Sequence, residues 1–378
     1  MMRFKFIFSN QSYATLILVL YLILSFQFYL VERNIKVIIS FSLVLISFFS
    51  AFYTLLKYKL SVQNKNKALL IIFFYLIIIT IGYFNKTISI DSIYILAAPA
   101  FAFFVAKNEF NIKALYIVLI FIYVYLFKYV LSTGGGEEIN DVFKMASRNV
   151  FSVIAITSTV LVYLISIKQN KIIYVWPALI TFLISVLSVG RSGIITSLFL
   201  LLSLIYIYIN NSGLKSRVSL FLFFLIPGLF FVIFNFNQIV LFLNTLEQLE
   251  HLVKDGFESA ERSIVVYSYL NNLDYLTVFT GLNYADIFIF QHLEMNPHNS
   301  YISLHHYVGF VSIIIFIYIL KSLYRYLRST MIVFCIFLTL LVRAWSDTIF
   351  FFSFYDFFFY LLIFQSNIFI KHNVKIHI

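Results

Sequence analysis

The sequence predicts an all-α integral membrane protein, on grounds of composition and of pattern. Hydrophobic residues make up 62% of the 378 residues and charged residues only 11%, whereas an ordinary soluble domain has about 45–50% and about 25%. Apolar runs of membrane-spanning length recur along the whole chain. These runs lack the alternation of barrel strands, so only helices can satisfy their backbone groups in lipid. Residues 1–378 are therefore expected to form a single polytopic membrane domain rather than a soluble globule.

About 12 transmembrane helices are expected, because each apolar run has roughly 16–21 residues and about 20 residues cross the hydrocarbon core. The predicted spans are residues 13–31, 36–56, 68–84, 91–106, 113–131, 149–167, 172–189, 193–209, 218–236, 300–320, 330–345 and 349–369. Pro99, Pro177 and Pro227 fall inside spans, where prolines are tolerated as kinks. The basic start MMRFKF is not followed by a cleavage site, which predicts an uncleaved first span.

The charges are distributed unevenly between the two sides of the membrane. With the N-terminus in the cytoplasm, the inside segments sum to about +16 and the outside loops to about −5, while the mid-span Lys128 and Asp356 cancel. Lysine and arginine are enriched in cytoplasmic loops. Both termini are therefore expected in the cytoplasm, and the net charge of +11 reflects topology rather than a nucleic-acid partner.

Two outside loops are longer than simple connectors. Residues 132–148 are expected to form a short outer loop with three glycines near its start, Gly134 to Gly136, which suit either a linker or a mobile lid. Residues 237–299 form a large loop with two amphipathic patterns. The first pattern, over 246–254, predicts a helix lying on the membrane, and the second, after a capping-box spacing, predicts a short helix carrying Arg262. The large loop is therefore expected to be folded.

Three polar residues on the outer side are not required by topology and are the candidates for chemistry. Arg191 lies in the short break GRSG between two apolar runs, where it needs an anionic partner or extends to lipid phosphates. Arg262 lies in the large loop, where a solvated helix charge is the alternative. His298 follows a proline where that loop re-enters the membrane, with Asn299 or Ser300 suited to cap the next helix.

Together these three side chains suit the transfer of a sugar from a lipid pyrophosphate. Arginine forks match the oxygens of a pyrophosphate leaving group, and they bind more strongly as its bond to the sugar breaks. The histidine is suited to orient or deprotonate the acceptor hydroxyl. This scheme requires neither a metal nor a cofactor. Arg343 is a further candidate, either as a third phosphate contact or as the local partner of Asp347.

Short motifs over about residues 148–312 carry a resemblance to a known family. They are Arg148-Asn149, Gly190-Arg191-Ser192-Gly193, Glu261-Arg262-Ser263, Gly281-Leu282-Asn283, His298-Asn299 and Gly309. In order, spacing and side of the membrane they resemble the O-antigen ligase and polymerase superfamily. The resemblance implies a metal-independent glycosyltransferase of the bacterial inner membrane, with its active site facing the periplasm.

The resemblance also implies the substrate and the roles of the residues. The donor would be an undecaprenyl-pyrophosphate-linked oligosaccharide, held by Arg191 and Arg262, with His298 serving the acceptor. Arg148 and Asn299 would contribute to binding. Membrane lipids and a chain-length regulator protein are the other expected partners in lipopolysaccharide biosynthesis.

Of the two activities in this superfamily, the O-antigen polymerase is favoured. It transfers the growing glycan to the next lipid-linked repeat unit, whereas the ligase transfers it to lipid A core. Asn283 and Ser312 depart from the ligase pattern, and a composition rich in Ile, Phe, Tyr, Asn and Lys is typical of the AT-rich genes of O-antigen clusters. The ligase remains the alternative.

Two other classes of protein are weighed against this prediction. A lipid-linked oligosaccharide flippase would also have about 12 spans, but transporters place ionisable residues along a central cavity, and few mid-span charges are present here. A metal-dependent membrane glycosyltransferase would use acids of its first outer loop, which here has only Glu32. The acids of the short loop, Glu137, Glu138 and Asp141, are suited to bind a metal, and a solvated acidic loop is the alternative. Candidates of second rank for sugar contacts or plain solvation are Asp274, Asp286, His292, Glu294, His305 and His306.

Overall fold

The computed structural model describes residues 10–58, 62–85, 90–132, 149–188, 190–211, 260–292, 297–369 and 376–377, and these are mostly helical. The helices are α1 (Asn10–Leu30), α2 (Arg33–Lys57), α3 (Val62–Asn85), α4 (Tyr94–Lys107), α5 (Ile112–Ser132), α6 (Asn149–Lys168), α7 (Trp176–Leu187), α8 (Arg191–Asn211), α9 (Ala260–Asn271), α10 (Tyr275–Thr280), α11 (Phe288–His292), α12 (Ser300–Val308), α13 (Val311–Ser329), α14 (Met331–Ser346) and α15 (Phe357–Phe364). Short 3-10 turns cover Ile90–Ile93, Tyr284–Asp286, Phe354–Asp356 and Ser366–Ile368, and two-residue strands are β1 (Ile173–Tyr174) and β2 (Ile376–His377).

Within the described ranges, some helices are long and apolar enough to cross a membrane. They are Asn10–Leu30, Asn34–Lys57, Ile112–Ser132, Asn149–Lys168 and Arg191–Asn210. Shorter apolar helices, including α7 and α14, fall on other predicted spans. A helical membrane architecture, as predicted from composition and pattern, agrees with these elements. The predicted span 218–236 lies outside the described residues, as does all of the loop 132–148 after its first residue.

Helix α6 is the centre of the bundle. Every residue from Val150 to Ile167 is buried, and the helix packs against α1, α5, α7 and α8. Its hydroxyl side chains tolerate this environment because they donate to the backbone of their own helix. Thr157 Oγ1 donates to Val153 O at 2.7 Å, and Thr159 donates in the same way four residues back. A central helix with internally satisfied polar groups thus fixes the positions of its neighbours.

The outer faces of α1, α2 and α5 carry large exposed apolar side chains. Ile38 and Phe49 of α2 are 65% and 71% exposed, and Phe121 of α5 is 70% exposed. Contiguous apolar surface of this kind is unfavourable in water. It is the surface expected of helices that face lipid hydrocarbon.

The predicted span 300–320 differs from the structure, which has two helices, α12 and α13, separated at Gly309. Gly309 has φ of 53°, and a side chain there would overlap the carbonyl of Phe279. That oxygen accepts a hydrogen bond from Phe310 N at 3.0 Å. With nine residues, α12 is about 14 Å long, too short for a hydrocarbon core of about 30 Å. Helix α13 has nineteen residues and is about 28 Å long.

The predicted span 349–369 also differs, because within it the α-helical part is the eight-residue α15. Phe351 and Phe352 have φ of 63° and 76°, which form a tight turn. The carboxylate of Asp356 accepts their N–H groups at 2.6 Å each and that of Ser353 at 3.0 Å. The turn was hidden in the sequence because its residues are as apolar as those of a helix. The turn also explains why an acid, Asp356, lies within this apolar run, because its carboxylate binds backbone N–H groups.

A small parallel pairing of β1 with β2 is an exception to the all-α prediction. Ile173 pairs with Ile376 and Tyr174 with His377, and Val175 N donates to His377 O at 3.0 Å. Two-residue strands leave no periodicity that a sequence could reveal. The pairing ties the connection between α6 and α7 to the C-terminal residues.

Residues 260–292, which we call the 260–292 segment, fold against α12. Their apolar side chains share one cluster, which contains Val265, Tyr269, Leu282, Tyr284, Ile287, Phe290 and Ile302. The second amphipathic pattern of the large loop corresponds to α9. The first pattern, over 246–254, lies outside the described residues.

Candidate functional site

Four helix ends meet at one end of the bundle, which we call the Arg343 end. Helices α6, α8 and α12 begin there and α14 ends there, with α14 packed against both α8 and α12. Several residues singled out in the sequence lie on these ends, namely Arg191, His298, Asn299 and Arg343. The contacts between the ends are made by polar side chains inside an otherwise apolar bundle.

The side chain of Arg343 is fully buried, with 0% exposure. Its Nη1 donates to the hydroxyl of Ser192 and, at 3.1 Å, to that of Ser346. Its Nη2 donates to Asn149 O at 3.2 Å and forms an ion pair with Asp347 Oδ2 at 3.2 Å. Of the two roles considered for Arg343, the local pair with Asp347 is therefore present. Complete burial leaves no surface of this side chain for a phosphate contact.

Asp347 extends this network to the start of α12. Its backbone oxygen accepts a hydrogen bond from Ser300 Oγ at 2.5 Å. The same Oγ accepts the N–H groups of Ile349 and Phe350, each at 3.2 Å. The hydroxyl of Tyr301 donates to a backbone oxygen of α14 at 2.7 Å. The beginning of α12 is thus fixed to the end of α14 at several points.

The glycines of the GRSG break allow α8 to approach α6 closely. A side chain on Gly193 would overlap the Oγ and Cβ of Ser152, and one on Gly190 would lie 2.9 Å from Asn149 Oδ1. The backbone oxygen of Gly190 accepts Ile194 N at 2.9 Å and so begins the helix. The overlap with Ser152 Cβ explains the glycine at position 193, and the packing places Arg191 between two contacts with the start of α6.

Arg191 is the first residue of α8 and is partly exposed. Its neighbour Ser192 is buried and contacts Arg343. A helix N-terminus carries a positive partial charge, so a cation there is unfavourable unless an anion is close. An anion at this position would be favoured both by the guanidinium and by the N–H groups of the first helical turn.

His298 lies in a turn whose conformation is set by its neighbours. Its φ is 48°, in the left-handed region that few residues other than glycine adopt. Asn299 caps α12, because its Oδ1 accepts Tyr301 N at 2.9 Å and Ile302 N at 3.2 Å. Of the two capping residues considered, Asn299 has this role, and it is buried rather than open to a ligand. The half-buried His298 is presented just before the helix start.

The remaining arginines of the candidate site are not joined to the network by the contacts described. Arg262 lies in the first turn of α9, and that helix is connected to α12 where Tyr269 OH approaches His305 Nδ1 at 2.8 Å. Arg148 lies outside the described residues, immediately before Asn149. The structure therefore brings Arg191 and His298 to one end of the bundle and does not define the side chains of Arg148 and Arg262.

Two of the second-rank histidines, His305 and His306, hold the 260–292 segment on α12. His305 Nε2 donates to Val278 O at 3.1 Å, since a carbonyl can only accept, and its Nδ1 is then the acceptor for Tyr269 OH. His306 Nδ1 donates to Leu282 O at 2.7 Å. Both rings are thus used in packing and support.

Two glycines of the resemblance meet at the same junction. Gly281 has φ of 87°, and a side chain there would lie 2.5 Å from the backbone oxygens of His305 and His306. Gly309, at the end of α12, lies against the backbone at Phe279. Each glycine therefore allows α10 and α12 to pack at backbone distance, a structural reason for both residues.

The acidic second-rank candidates have local roles or lie outside the described part of the chain. Asp274 caps α10, because its carboxylate accepts Thr277 N at 2.7 Å, and this hydrogen bond lowers the pKa of Asp274. Asp286 is exposed. Residues for which no side-chain geometry is described are Glu137, Glu138, Asp141, His292 and Glu294. Among the residues that can be searched, no group of three His, Cys, Asp or Glu side chains could hold a metal ion.

An apolar groove lies beside α12. It runs between α3, α12, α13 and α15, and its walls include Ile78, Leu304, Val311, Tyr318 and Phe359. Its lining is almost entirely hydrocarbon and aromatic. A groove of this composition suits an apolar chain rather than a sugar.

Sequence reasoning did not find the groups that join the helix ends. Ser192 and the backbone oxygen of Asn149 bind Arg343 from positions 151 and 194 residues away. Ser300 was considered only as a helix cap, yet it links α12 to Asp347. The one available signal was the spacing of Arg343 and Asp347 on one helix face, which predicts their pairing.

The chain matches no protein-family model, and comparisons with curated proteins and with solved structures give no match. The candidate site is therefore defined by sequence and geometry. It consists of Arg191 and the His298 turn, on helix ends joined through the buried Arg343 and through Asp347, whose backbone oxygen binds Ser300.

Proposed function

We propose that the protein is an O-antigen polymerase, a membrane glycosyltransferase of surface polysaccharide synthesis. It transfers the growing glycan from undecaprenyl pyrophosphate to the next lipid-linked repeat unit, on the periplasmic side of the bacterial inner membrane. In this proposal the chain crosses the membrane about 12 times with both termini in the cytoplasm. The resemblance over residues 148–312 suggests the reaction, and the Arg343 end is the proposed location.

The observation that carries the proposal is the meeting of the helix ends that bear Arg191 and His298. These residues are far apart in the sequence, yet their neighbours Ser192 and Ser300 are linked through Arg343 and Asp347. Ser192 contacts the guanidinium of Arg343, and Ser300 donates to the backbone oxygen of Asp347. A group that binds the leaving pyrophosphate and a group that serves the acceptor must act at one site. The distribution of lysine and arginine supports the periplasmic side for that site.

Electrostatics at the Arg343 end favour an anionic ligand. Helices α6, α8 and α12 all begin there, and each long helix contributes roughly half a positive charge at its start. Arg191 adds a guanidinium, and Arg148 precedes α6. These features support a pyrophosphate held at the membrane surface by helix starts and arginine forks.

The proposed step is a displacement at the anomeric carbon of the donor sugar. The acceptor hydroxyl oxygen forms a bond to that carbon while the bond from the carbon to the pyrophosphate oxygen breaks. The electron pair leaves with the pyrophosphate, whose added charge Arg191 and Arg262 stabilise. The proton of the hydroxyl goes to His298.

The apolar groove beside α12 supports a lipid-borne donor. The groove is lined by α12, which begins just after the His298 turn, and by α3, α13 and α15. In this proposal it accommodates part of the prenyl chain while the pyrophosphate stays at the surface.

Replacement of Arg191 tests the proposal. Arg191→Ala in the source bacterium should reduce long-chain glycan by about 10²-fold or more, because a charged contact to the leaving group is lost in the transition state. The matched control is Arg328→Ala, at the far end of α13, where the guanidinium lies 4.9 Å from the Tyr324 ring. Normal chain length in Arg191→Ala, with both proteins at equal membrane abundance, would contradict the pyrophosphate assignment.

The lipopolysaccharide pattern of a deletion strain separates the polymerase from the ligase alternative. Loss of a polymerase leaves a single repeat unit on the core. Loss of a ligase leaves bare core while lipid-linked polymer accumulates. Gel electrophoresis of the lipopolysaccharide and of the lipid-linked fraction distinguishes these outcomes.

A further inference from the structure

The Arg343–Asp347 pair connects more helices than the stability of the protein requires. One guanidinium contacts a serine of α8, a backbone oxygen of α6 and an acid at the end of its own helix α14. The backbone oxygen of that same residue, Asp347, accepts a hydrogen bond from Ser300 of α12. Four helix ends are thus joined through Arg343, Asp347 and Ser300.

Stability alone is a weak reason for such a pair. Removing an arginine and a carboxylate from water is unfavourable, and well-packed apolar residues often stabilise an interior as well or better. A buried network of fixed geometry does restrict the relative positions of the elements it joins. The elements joined here are those that carry Arg191 and His298.

We propose that Arg343 and Asp347 are positioning residues, which fix the start of α8 with Arg191 relative to the turn with His298. This inference rests on the proposed function for its effect on glycan transfer, but not for its effect on geometry. Arg343 is fully buried, so it acts through Ser192 and Asp347 rather than on a substrate.

The shape of the arginine is essential to this role. Its two terminal nitrogens diverge in one plane, so Nη1 reaches Ser192 while Nη2 reaches Asn149 and Asp347. The three N–H groups of a lysine leave from one nitrogen, so they cannot reach partners as widely separated as those that the two guanidinium nitrogens contact. Arg343→Lys keeps the charge opposite Asp347 and should still lose the register between α8 and α12.

The first experiment measures kinetics of purified full-length protein in lipid vesicles with lipid-linked oligosaccharide. Arg343→Lys should lower kcat by about 10²-fold, the scale of a misplacement of ~1 Å, while KM for the donor stays within about 3-fold. The matched control is Lys168→Met, which removes a partly buried cation at the opposite end of α6 and should leave kcat unchanged. A kcat within twofold of the parent in Arg343→Lys overturns the proposal.

A second variant avoids any change to the ion pair. Ser300→Ala removes the hydroxyl that donates to Asp347 O and leaves Arg343 with its partners. It should lower kcat in the same direction as Arg343→Lys, with a smaller effect. The unfolding temperature of each variant is measured as well. If kcat falls in either variant only in proportion to a lower unfolding temperature, the role is purely structural and the proposal is overturned.

An independent measurement does not depend on the reaction. Spin labels at Ile195→Cys on α8 and Phe310→Cys after α12, in a Cys335→Ser background, report the distance between the two elements; both label sites are exposed. Arg343→Lys should broaden the distance distribution, and Lys168→Met should not. An unchanged distribution overturns positioning. A broadened distribution in a protein that shows no glycan transfer at all would leave positioning intact and reject the proposed function.

Discussion

The two ends of α6 each lie near a basic residue away from bulk water, and the two residues are held in different ways. At one end, Lys168 Nζ donates to the backbone oxygens of Val105, at 2.6 Å, and of Asn108, and it lies 5.3 Å from the Phe110 ring. These oxygens are at the end of α4, where carbonyls lack helical partners. At the other end, Arg343 binds a carboxylate, two hydroxyls and one backbone oxygen.

The two cations differ in how many helices they join, and this difference indicates which of them lies at the candidate functional site. Lys168 completes the C-terminal end of a helix, where a positive charge is favourable, and its role ends there. Arg343 joins the beginnings of α6 and α8 to α14, and Asp347 adds α12. Burial of a cation is common to both ends. At the Arg343 end, in addition, the cation and its partner connect the starts of several helices, and Arg191 and His298 lie at this same end.

The largest effect on stability is expected from Arg343→Met. This change leaves the carboxylate of Asp347 without its cation in a mostly buried place, and such a loss destabilises proteins by about 3–5 kcal/mol. Unfolding in detergent micelles measures it. The double variant Arg343→Met with Asp347→Asn should recover part of the loss, because no uncompensated charge remains. A single variant as stable as the double would show that the pair is not coupled.

An intermediate effect is expected from Gly193→Ala, which tests the packing of α8 at the same end. The added methyl group would overlap the Oγ and Cβ of Ser152, and overpacking of this kind destabilises by about 1–3 kcal/mol. Ser152→Gly should be more harmful alone than in combination with Gly193→Ala, since it opens the required space. Additive losses of unfolding free energy in the double-mutant cycle would refute the contact.

The smallest effect is expected from Lys168→Met. The variant loses charged hydrogen bonds at the end of α4, but it also no longer places a cation away from water. Because these two effects oppose each other, the free energy of unfolding should fall by only about 1 kcal/mol. Glycan transfer should remain at the parent rate when protein amounts are equalised. A large loss of transfer at unchanged stability would remove the contrast between the two ends.

Local patterns in the sequence were sufficient for several of the helices and for part of the site. The apolar run of α6 gives a long helix because nothing else satisfies its backbone in lipid. The proline before His298 and the amide of Asn299 predict a helix start, and Asn299 caps α12. Arg343 and Asp347 lie one turn apart, and their ion pair follows from that spacing.

Features enforced by distant residues could not be predicted. The apolar run through residues 300–320 gives no sign of a break, because the break depends on the backbone of Phe279 in another element. The turn at Phe351 depends on a carboxylate five residues later that composition alone marks as a mid-span charge. The partners of Arg343 on α6 and α8 are unknown until the helices are packed.

The position of Arg343 late in the chain has a consequence for biogenesis. Asn149 and Ser192 enter the membrane early in synthesis, whereas their shared partner emerges from the ribosome some 151 residues after Ser192. Until α14 is inserted, the beginnings of α6 and α8 lack the guanidinium that joins them. The contacts of this end are thus completed only after α14 has been synthesised.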